Sequence, residues 1–144
     1  MQAFPATDTR TMLVTFKRGD LIVELLTGLI REEGINTALI TSGLGAFDRC
    51  NLHTIAGTGL PPKEQFIHLE GPVEVGSILG NVAGGEPHIH AVVHYVTNDK
   101  VYAGHLEPET RVCYRAAVGL IVLDDVRTAR REDPNTGLVD VVPA

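Results

Sequence analysis

The part of the chain from Thr37 onward is a close succession of β-type runs, and this feature constrains the fold more than any other. Each run is rich in Val, Ile, Leu or aromatic residues and ends near Gly, Pro, Asn or Asp. The predicted strands are 38–41, 50–55, 65–69, 73–82, 88–96, 101–105 and 112–123. Parallel strands need a crossover of about a dozen or more residues, and these connections are too short for one. We therefore predict a mainly antiparallel sheet.

One strongly periodic helix precedes these strands. A first strand over residues 11–17 ends at the turn Arg18-Gly19, and Asp20 then occupies the position of an N-cap. Gly34 follows as a C-terminal stop. The apolar stripe between these ends comprises Ile22, Leu25, Leu26 and Leu29. The predicted class is α/β of the α+β type, in which one principal helix packs against the sheet.

Some of the predicted strands are apolar on both faces, most clearly over residues 118–123. A strand of this kind belongs to a sheet that is covered on both sides. We expect the helix to cover one side and another subunit to cover the other.

The two ends of the chain differ from its middle. The 144 residues suffice for one core. Residues 1–10 and 126–144 lack sustained periodicity, so we expect loosely held tails around a single domain of residues 11–125. In the C-terminal tail only 138–142 alternates, and it could add an edge strand.

The charge and hydropathy of the chain argue against DNA and a membrane as direct partners. The net charge is −6 and the cations are scattered, whereas a DNA-binding surface needs clustered cations to displace the counterions of the phosphates. The longest apolar runs fall far short of the ~20 residues that cross a bilayer, and no signal-peptide pattern opens the sequence. We therefore expect a cytoplasmic protein without direct DNA binding and without a membrane span.

Three histidines share one face of a predicted strand. His88, His90 and His94 point the same way, because side chains two and four residues apart lie on one side of a strand. Imidazole nitrogen is a common zinc ligand, and catalytic zinc sites combine three protein ligands with an open position. The spacing predicts part of a metal site.

A further histidine follows on the next predicted strand. If the hairpin turns at Asn98-Asp99, opposed residues have numbers that sum to about 197, which places His105 across from about residue 92. His105 is then the natural third ligand. The alternative stays open that all of these are ordinary half-buried strand histidines. His53 and His68 fit no constellation and are expected to be structural or exposed.

Neither glycine nor serine forms a recognisable catalytic motif. The glycines between residues 43 and 85 match no phosphate-binding loop, and bulges and turns explain them better. Ser42 and Ser77 lack the G-x-S-x-G frame of a nucleophilic serine. Serine-triad hydrolysis is not predicted.

Three segments carry a resemblance to a known family. They are Leu69 to Asn81 (LEGPVEVGSILGN), Gly85 to His90 (GEPHIH) and Gly104-His105-Leu106. In this order and spacing they resemble the signature of the plants-and-prokaryotes conserved (PPC) domain family, in its free-standing prokaryotic form. The resemblance covers about residues 11–125.

The resemblance implies a compact fold with a largely antiparallel sheet, assembled as a homotrimer, and a metal site near a subunit boundary. The matching histidines are His88, His90 and His105. The family fold is also similar to that of acetolactate decarboxylase, a zinc enzyme that uses an H-x-H pair and a later His. The family's DNA-binding label derives from plant relatives with AT-hook segments, which this chain lacks. The sequence departs from the family pattern at Ala103 and in the acidic segment Glu107-Pro108-Glu109.

Our interpretation of the sequence is a trimeric PPC-domain module that binds a divalent metal, zinc, through these three histidines, with an open position for a small-molecule ligand. The alternative is a zinc-dependent lyase or hydrolase acting on a small oxo or hydroxy acid, with Glu70 or Glu86 handling the proton. His94 and Asn81 are accessory candidates in either case. A third hypothesis is a regulatory or DNA-associated module.

Overall fold

The computed structural model describes all 144 residues of the chain. Its elements are β1 (Thr9–Lys17), α1 (Ile22–Glu32), β2 (Ala38–Ile55), β3 (Glu64–Ala83), β4 (Glu86–Tyr95), β5 (Lys100–Leu106), β6 (Arg111–Leu123), β7 (Thr128–Glu132) and β8 (Val139–Pro143). Six strands form one sheet in the order β1-β6-β2-β3-β4-β5, and β7 pairs with β8. The predicted class, a mainly antiparallel sheet with one principal helix, is confirmed. No helix has both the length and the apolar character that crossing a membrane requires.

Two pairs of predicted strands are each continuous in the structure. Runs 38–41 and 50–55 both belong to β2, and runs 65–69 and 73–82 both belong to β3. The residues between them, which the sequence pattern marks as turns, are absorbed by irregularities such as the register shift just after Phe47. A β-bulge adds a residue and bends a strand without ending it. The long, bent strands can therefore pair with different neighbours along their length.

The second half of β2 closes the sheet on itself. One of its edges pairs with β3, while on the other edge Leu52 and His53 pair with Leu106 and His105 of β5. Strands β2, β3, β4 and β5 thus form a ring at this end of the sheet. Gly104 permits the closure, because a Cβ at this position would lie 2.3 Å from the His53 carbonyl oxygen.

Helix α1 packs on the inner face of the sheet and completes the hydrophobic core. Its fully buried residues are Ile22, Leu26 and Ile30. Leu25, predicted for the apolar stripe, is half-exposed because the buried stripe follows every fourth residue. The predicted N-cap is wrong: Leu21 takes that position, and the Asp20 carboxylate instead accepts the Lys17 N–H at 2.9 Å. The predicted stop at Gly34 is confirmed by its φ of +63°.

The opposite face of the sheet is uncovered within one chain and is apolar. Its large side chains alternate along the strands with core residues and are 41–75% exposed. They are Leu13, Leu39, Leu44, Leu79 and Val92. We call this surface the open face. Several large apolar side chains exposed on one face are typical of an interaction surface.

The C-terminal segment contains a hairpin, β7–β8, and β8 lies where the alternation over 138–142 indicated an additional strand. Its anchor is Thr128, which is buried. The hydroxyl oxygens of Thr128 and Thr37 lie 2.9 Å apart, and the Asn36 side-chain oxygen accepts the Thr128 N–H at 2.8 Å. Because this anchor is polar, the apolar periodicity on which the prediction relied could not indicate it. At the other end of the chain, β1 begins at Thr9, two residues earlier than predicted.

Removing the Thr128 hydroxyl should destabilise the protein measurably. Thr128→Val keeps the shape of the side chain but leaves the buried Thr37 hydroxyl with one partner fewer and the Gly84 N–H without its acceptor at 3.2 Å. A buried group that loses its partner costs about 1–3 kcal/mol, so the melting temperature should fall by roughly 3–10 °C for a chain of this size. Thr58→Val, at an exposed position, is the control. Equal melting temperatures for the two variants would show that the hairpin is not anchored in this way.

Candidate metal centre

Three histidines converge where β4 begins and β5 ends. His88 and His90 lie two residues apart on β4, and His105 on β5 is directly opposite His90. Their ligand nitrogens all lie within 4.8 Å of one another. The predicted register was wrong by two residues, since the hairpin loop spans residues 96–99 rather than a two-residue turn. In the observed register His105 therefore lies closer to His90 than the sequence predicted.

The spacing of the nitrogens fits one metal ion. The Nε2 atoms of His88 and His90 are 3.1 Å apart, and two nitrogens bound at 2.0–2.1 Å to one tetrahedral zinc ion are separated by about 3.3 Å. The ring centroid of His105 lies 4.3 Å from that of His88 and 4.2 Å from that of His90. Three protein ligands leave one corner of a tetrahedron for an external ligand. The donor set could therefore hold a divalent metal with an open coordination position.

All three imidazoles are biased toward the neutral form that binds metal. Burial lowers the pKa of His105 to about 4, and the next cause is the neighbouring His53. Burial likewise lowers the pKa values of His88 and His90, and the charge of other histidines adds to the effect. The Arg130 guanidinium is a further cause for the pKa of His88 and His105. The lowered pKa values favour the uncharged form of all three imidazoles at neutral pH.

His53 lies against this cluster, although the sequence analysis placed it in no constellation. Its ring stacks on that of His105 with the centroids 4.1 Å apart, and its Nδ1–H donates to the Glu107 carboxylate at 2.6 Å. The stack restricts the orientations that the His105 ring can adopt. No local pattern could have indicated this contact, because it depends on the pairing of β2 with β5, which lie far apart in the sequence.

The other candidates from the sequence are placed differently. His94 lies at the far end of β4, where its Nε2 is 2.9 Å from a carboxylate oxygen of the hairpin loop. Glu70 forms an ion pair elsewhere on β3, and Glu86 is 73% exposed. Asn81 is the partner of His88 on the neighbouring strand β3. His94, Glu70 and Glu86 do not belong to the group of converging ligand atoms.

A cavity of about 280 Å³ opens beside His88 and His105. Its other polar walls come from Thr27 of α1, Glu107 and Arg130 of β7. Glu107 is the one carboxylate in the wall. Sequence reasoning missed Arg130 as a site residue because it lies in the segment that was expected to be a loose tail. The cavity gives an external ligand access to the side of the histidine cluster.

Comparison with known protein families identifies the family of this chain. Residues 4–124 match the family model of the Plants and Prokaryotes Conserved domain. The chain belongs to this family. This match confirms the resemblance to the PPC family that the sequence motifs indicated. No curated protein matches it.

Solved structures share the PPC-domain fold over almost the whole chain. A metal-containing protein from Archaeoglobus fulgidus is 25% identical, with a TM-score of 0.82 over 99% of each chain. A PPC protein from Pyrococcus horikoshii is 24% identical, with a TM-score of 0.77 over 100% of this chain and 99% of that one. A Bacteroides thetaiotaomicron protein named as a DNA-binding candidate is 19% identical, with a TM-score of 0.77 over 97% of this chain and 96% of that one.

Acid should destabilise the metal-free PPC-domain chain over a defined pH window. The folded pKa values of the three clustered histidines lie below the ordinary value near 6.5. Between pH 6.5 and about 4 the unfolded chain therefore binds protons that the folded chain does not, so the free energy of unfolding falls as the pH falls. Melting temperatures of chelator-treated protein across this window measure the effect. His105→Gln should flatten the curve, whereas His68→Gln, at an exposed position, should not. Parallel curves for all three proteins would contradict the pKa shifts.

Proposed function

We propose that this chain is a metal-binding PPC-domain protein. In this proposal His88, His90 and His105 hold one divalent ion and leave an open position for a small oxygen-bearing ligand. The observation that carries the proposal is the convergence of three imidazoles, two of which place their Nε2 atoms 3.1 Å apart. The Archaeoglobus fulgidus structure with the same fold is described as that of a metal-containing protein, which supports the same function here.

Zinc is the ion that we propose. All three donors are imidazole nitrogens, which suit zinc, whereas magnesium and calcium prefer oxygen ligands. A bound zinc ion would polarise an oxygen atom of the external ligand. Elemental analysis of the purified protein, followed by zinc uptake of chelator-treated protein at neutral pH, tests the proposal. A chain that neither carries nor takes up a divalent ion would refute it.

A zinc-dependent lyase or hydrolase acting on a small oxo or hydroxy acid is the second candidate. The observation that favours it is the position of Glu107, whose carboxylate lines the cavity beside His88 and His105. A carboxylate there is better placed for proton transfer than the exposed Glu86 or the distant Glu70. Turnover on a panel of 2-hydroxy and 2-oxo acids, abolished by chelation, would establish this activity.

Direct DNA binding is not part of the proposal. The chain carries a net charge of −6, so a trimer would carry three times that charge, −18, and each phosphate contact would need a cation against this background. The cluster Arg127, Arg130 and Arg131 is followed by Glu132 and Asp133. Tight duplex binding by the isolated protein in a mobility-shift assay at low salt would overturn this judgement.

We also propose that the open face is covered in a cytoplasmic homotrimer. Both cysteines are free, which is typical of a reducing compartment. The protein should sediment at about three times the chain mass of 15.5 kDa, because the open face would otherwise remain in contact with water. Leu39→Glu on the open face should dissociate the assembly, whereas Leu25→Glu on the exposed side of α1 should not. A wild-type monomer at micromolar concentration would contradict the trimer.

A further inference from the structure

Arg130 is a partly buried cation whose guanidinium makes no hydrogen bond to a protein side chain. Its side chain is only 28% exposed. The nearest carboxylate belongs to the exposed Glu86, and the separation of 3.7 Å between Arg130 Nε and Glu86 Oε2 is too long for a hydrogen bond. A guanidinium carries five N–H donors, and no side chain of the protein accepts a hydrogen bond from those of Arg130, which remain open to solvent. An arginine in this state is suited to a partner that comes from outside the chain.

The C-terminal hairpin places this cation at the cavity wall. Arg130 follows the buried anchor Thr128 by two residues on β7, and its backbone packs closely on the β3–β4 turn, where a Cβ at Gly84 would lie 3.4 Å from the Arg130 nitrogen. The side chain lines the same cavity as His88 and His105. Arg130 therefore faces the same open cavity as two of the three clustered histidines.

We propose that this cavity binds a small monocarboxylate. The carboxylate pairs with Arg130, and a second oxygen of the same molecule faces the open position at His88, His90 and His105. The inference rests on the proposed metal function and names the class of ligand that the site takes. Arg130 is a binding residue in this arrangement, because its fork of donors matches the two oxygens of a carboxylate.

The size and the lining of the cavity favour this ligand class. A volume of about 280 Å³ is at the lower end of the range of about 300–1,000 Å³ found for ligand pockets, which limits the ligand to a few carbon atoms. Val23, Ile89 and Leu106 supply an apolar wall for its short hydrocarbon part. One cation and one carboxylate, Glu107, line the cavity. Phosphate is the competing anion, and it has no hydrocarbon part that could contact the apolar wall.

Titration of the cobalt-loaded protein tests the inference without an activity assay. Visible absorption of the cobalt ion first reports whether the full-length protein holds the metal, and then reports any change in coordination as lactate is added. Lactamide, which has the same size and hydroxyl group but no charge, is the uncharged control ligand. Inorganic phosphate is the third ligand tested. Lactate should alter the spectrum at lower concentration than either of the others. Arg130→Gln should weaken the lactate response by roughly 10–100-fold, as expected for the loss of charged hydrogen bonds.

Arg131→Gln is the matched control, because Arg131 is the next residue on β7 and its side chain points to the other face. It should bind lactate like the wild type. An unchanged lactate response in Arg130→Gln, or equal responses to lactate and lactamide, overturns the inference while leaving the metal site intact. A response to phosphate in place of lactate overturns the assignment to a monocarboxylate. Absence of the cobalt spectrum before any lactate is added refutes the metal function itself, and the inference falls with it.

Discussion

Replacing His105 with alanine is expected to leave the protein almost without metal. Loss of a residue that merely orients a ligand costs about 10–100-fold in metal affinity, and loss of one of three direct ligands should cost more. His90→Ala should have an effect of the same size, because His90 and His105 are direct cross-strand partners. Metal content after dialysis, measured by elemental analysis, and zinc affinity from competition with a chelating indicator give the result.

Substitutions of three other histidines distinguish a specific metal site from nonspecific metal binding by imidazole side chains. His94→Ala should change nothing, since His94 bonds within the hairpin loop at the far end of β4. His68→Ala should also change nothing, because its ring bonds to Asn51. His53→Ala should have an intermediate effect of about 10–100-fold, because His53 only orients His105 through their stacked rings. Equal metal loss in all of these variants would contradict the three-histidine site.

Gly104→Ala is expected to be strongly damaging, although it adds a single methyl group. The new Cβ would lie 2.3 Å from the carbonyl oxygen of His53, and this atom belongs to the backbone of β2, which cannot rotate away. Overpacking costs about 1–3 kcal/mol, and we expect the upper end here, which corresponds to a fall of roughly 10 °C in melting temperature. Because the clash separates β5 from β2 next to His105, metal affinity should fall together with stability.

Gly28→Ala is the matched control for this substitution. Gly28 lies inside α1, and a Cβ there would meet nothing within 4 Å. Alanine in a helix interior is about 0.5–1 kcal/mol more favourable than glycine, so this variant should melt slightly higher and bind metal normally. If Gly104→Ala instead melted like the wild type and kept its metal, the closure of β5 on β2 would not be as the structure describes it.

The candidate metal centre shows which site residues could be predicted from the sequence and which could not. His88 and His90 are two residues apart on a strand, so their shared face follows from the period of a β-strand alone. Including His105 required a cross-strand register, and the predicted register was wrong by two residues because the hairpin loop has four residues rather than two. His53, Glu107 and Arg130 were not predicted as site residues at all. His53 and Arg130 reach the site through contacts between elements that are distant in the sequence, whereas Glu107 lies only two residues after His105.

By itself the sequence determined the antiparallel sheet, the single helix and the histidine pair of β4. These features depend on local spacing: connections too short for a crossover, a four-residue apolar repeat, and alternation along a strand. Only the tertiary structure decided that β2 closes on β5, that the C-terminal hairpin is anchored through Thr128, and that Arg130 faces the cavity. The physical reason is that these arrangements rest on close backbone approach at Gly104 and on buried polar pairing between distant residues. Neither leaves a periodic trace in the sequence.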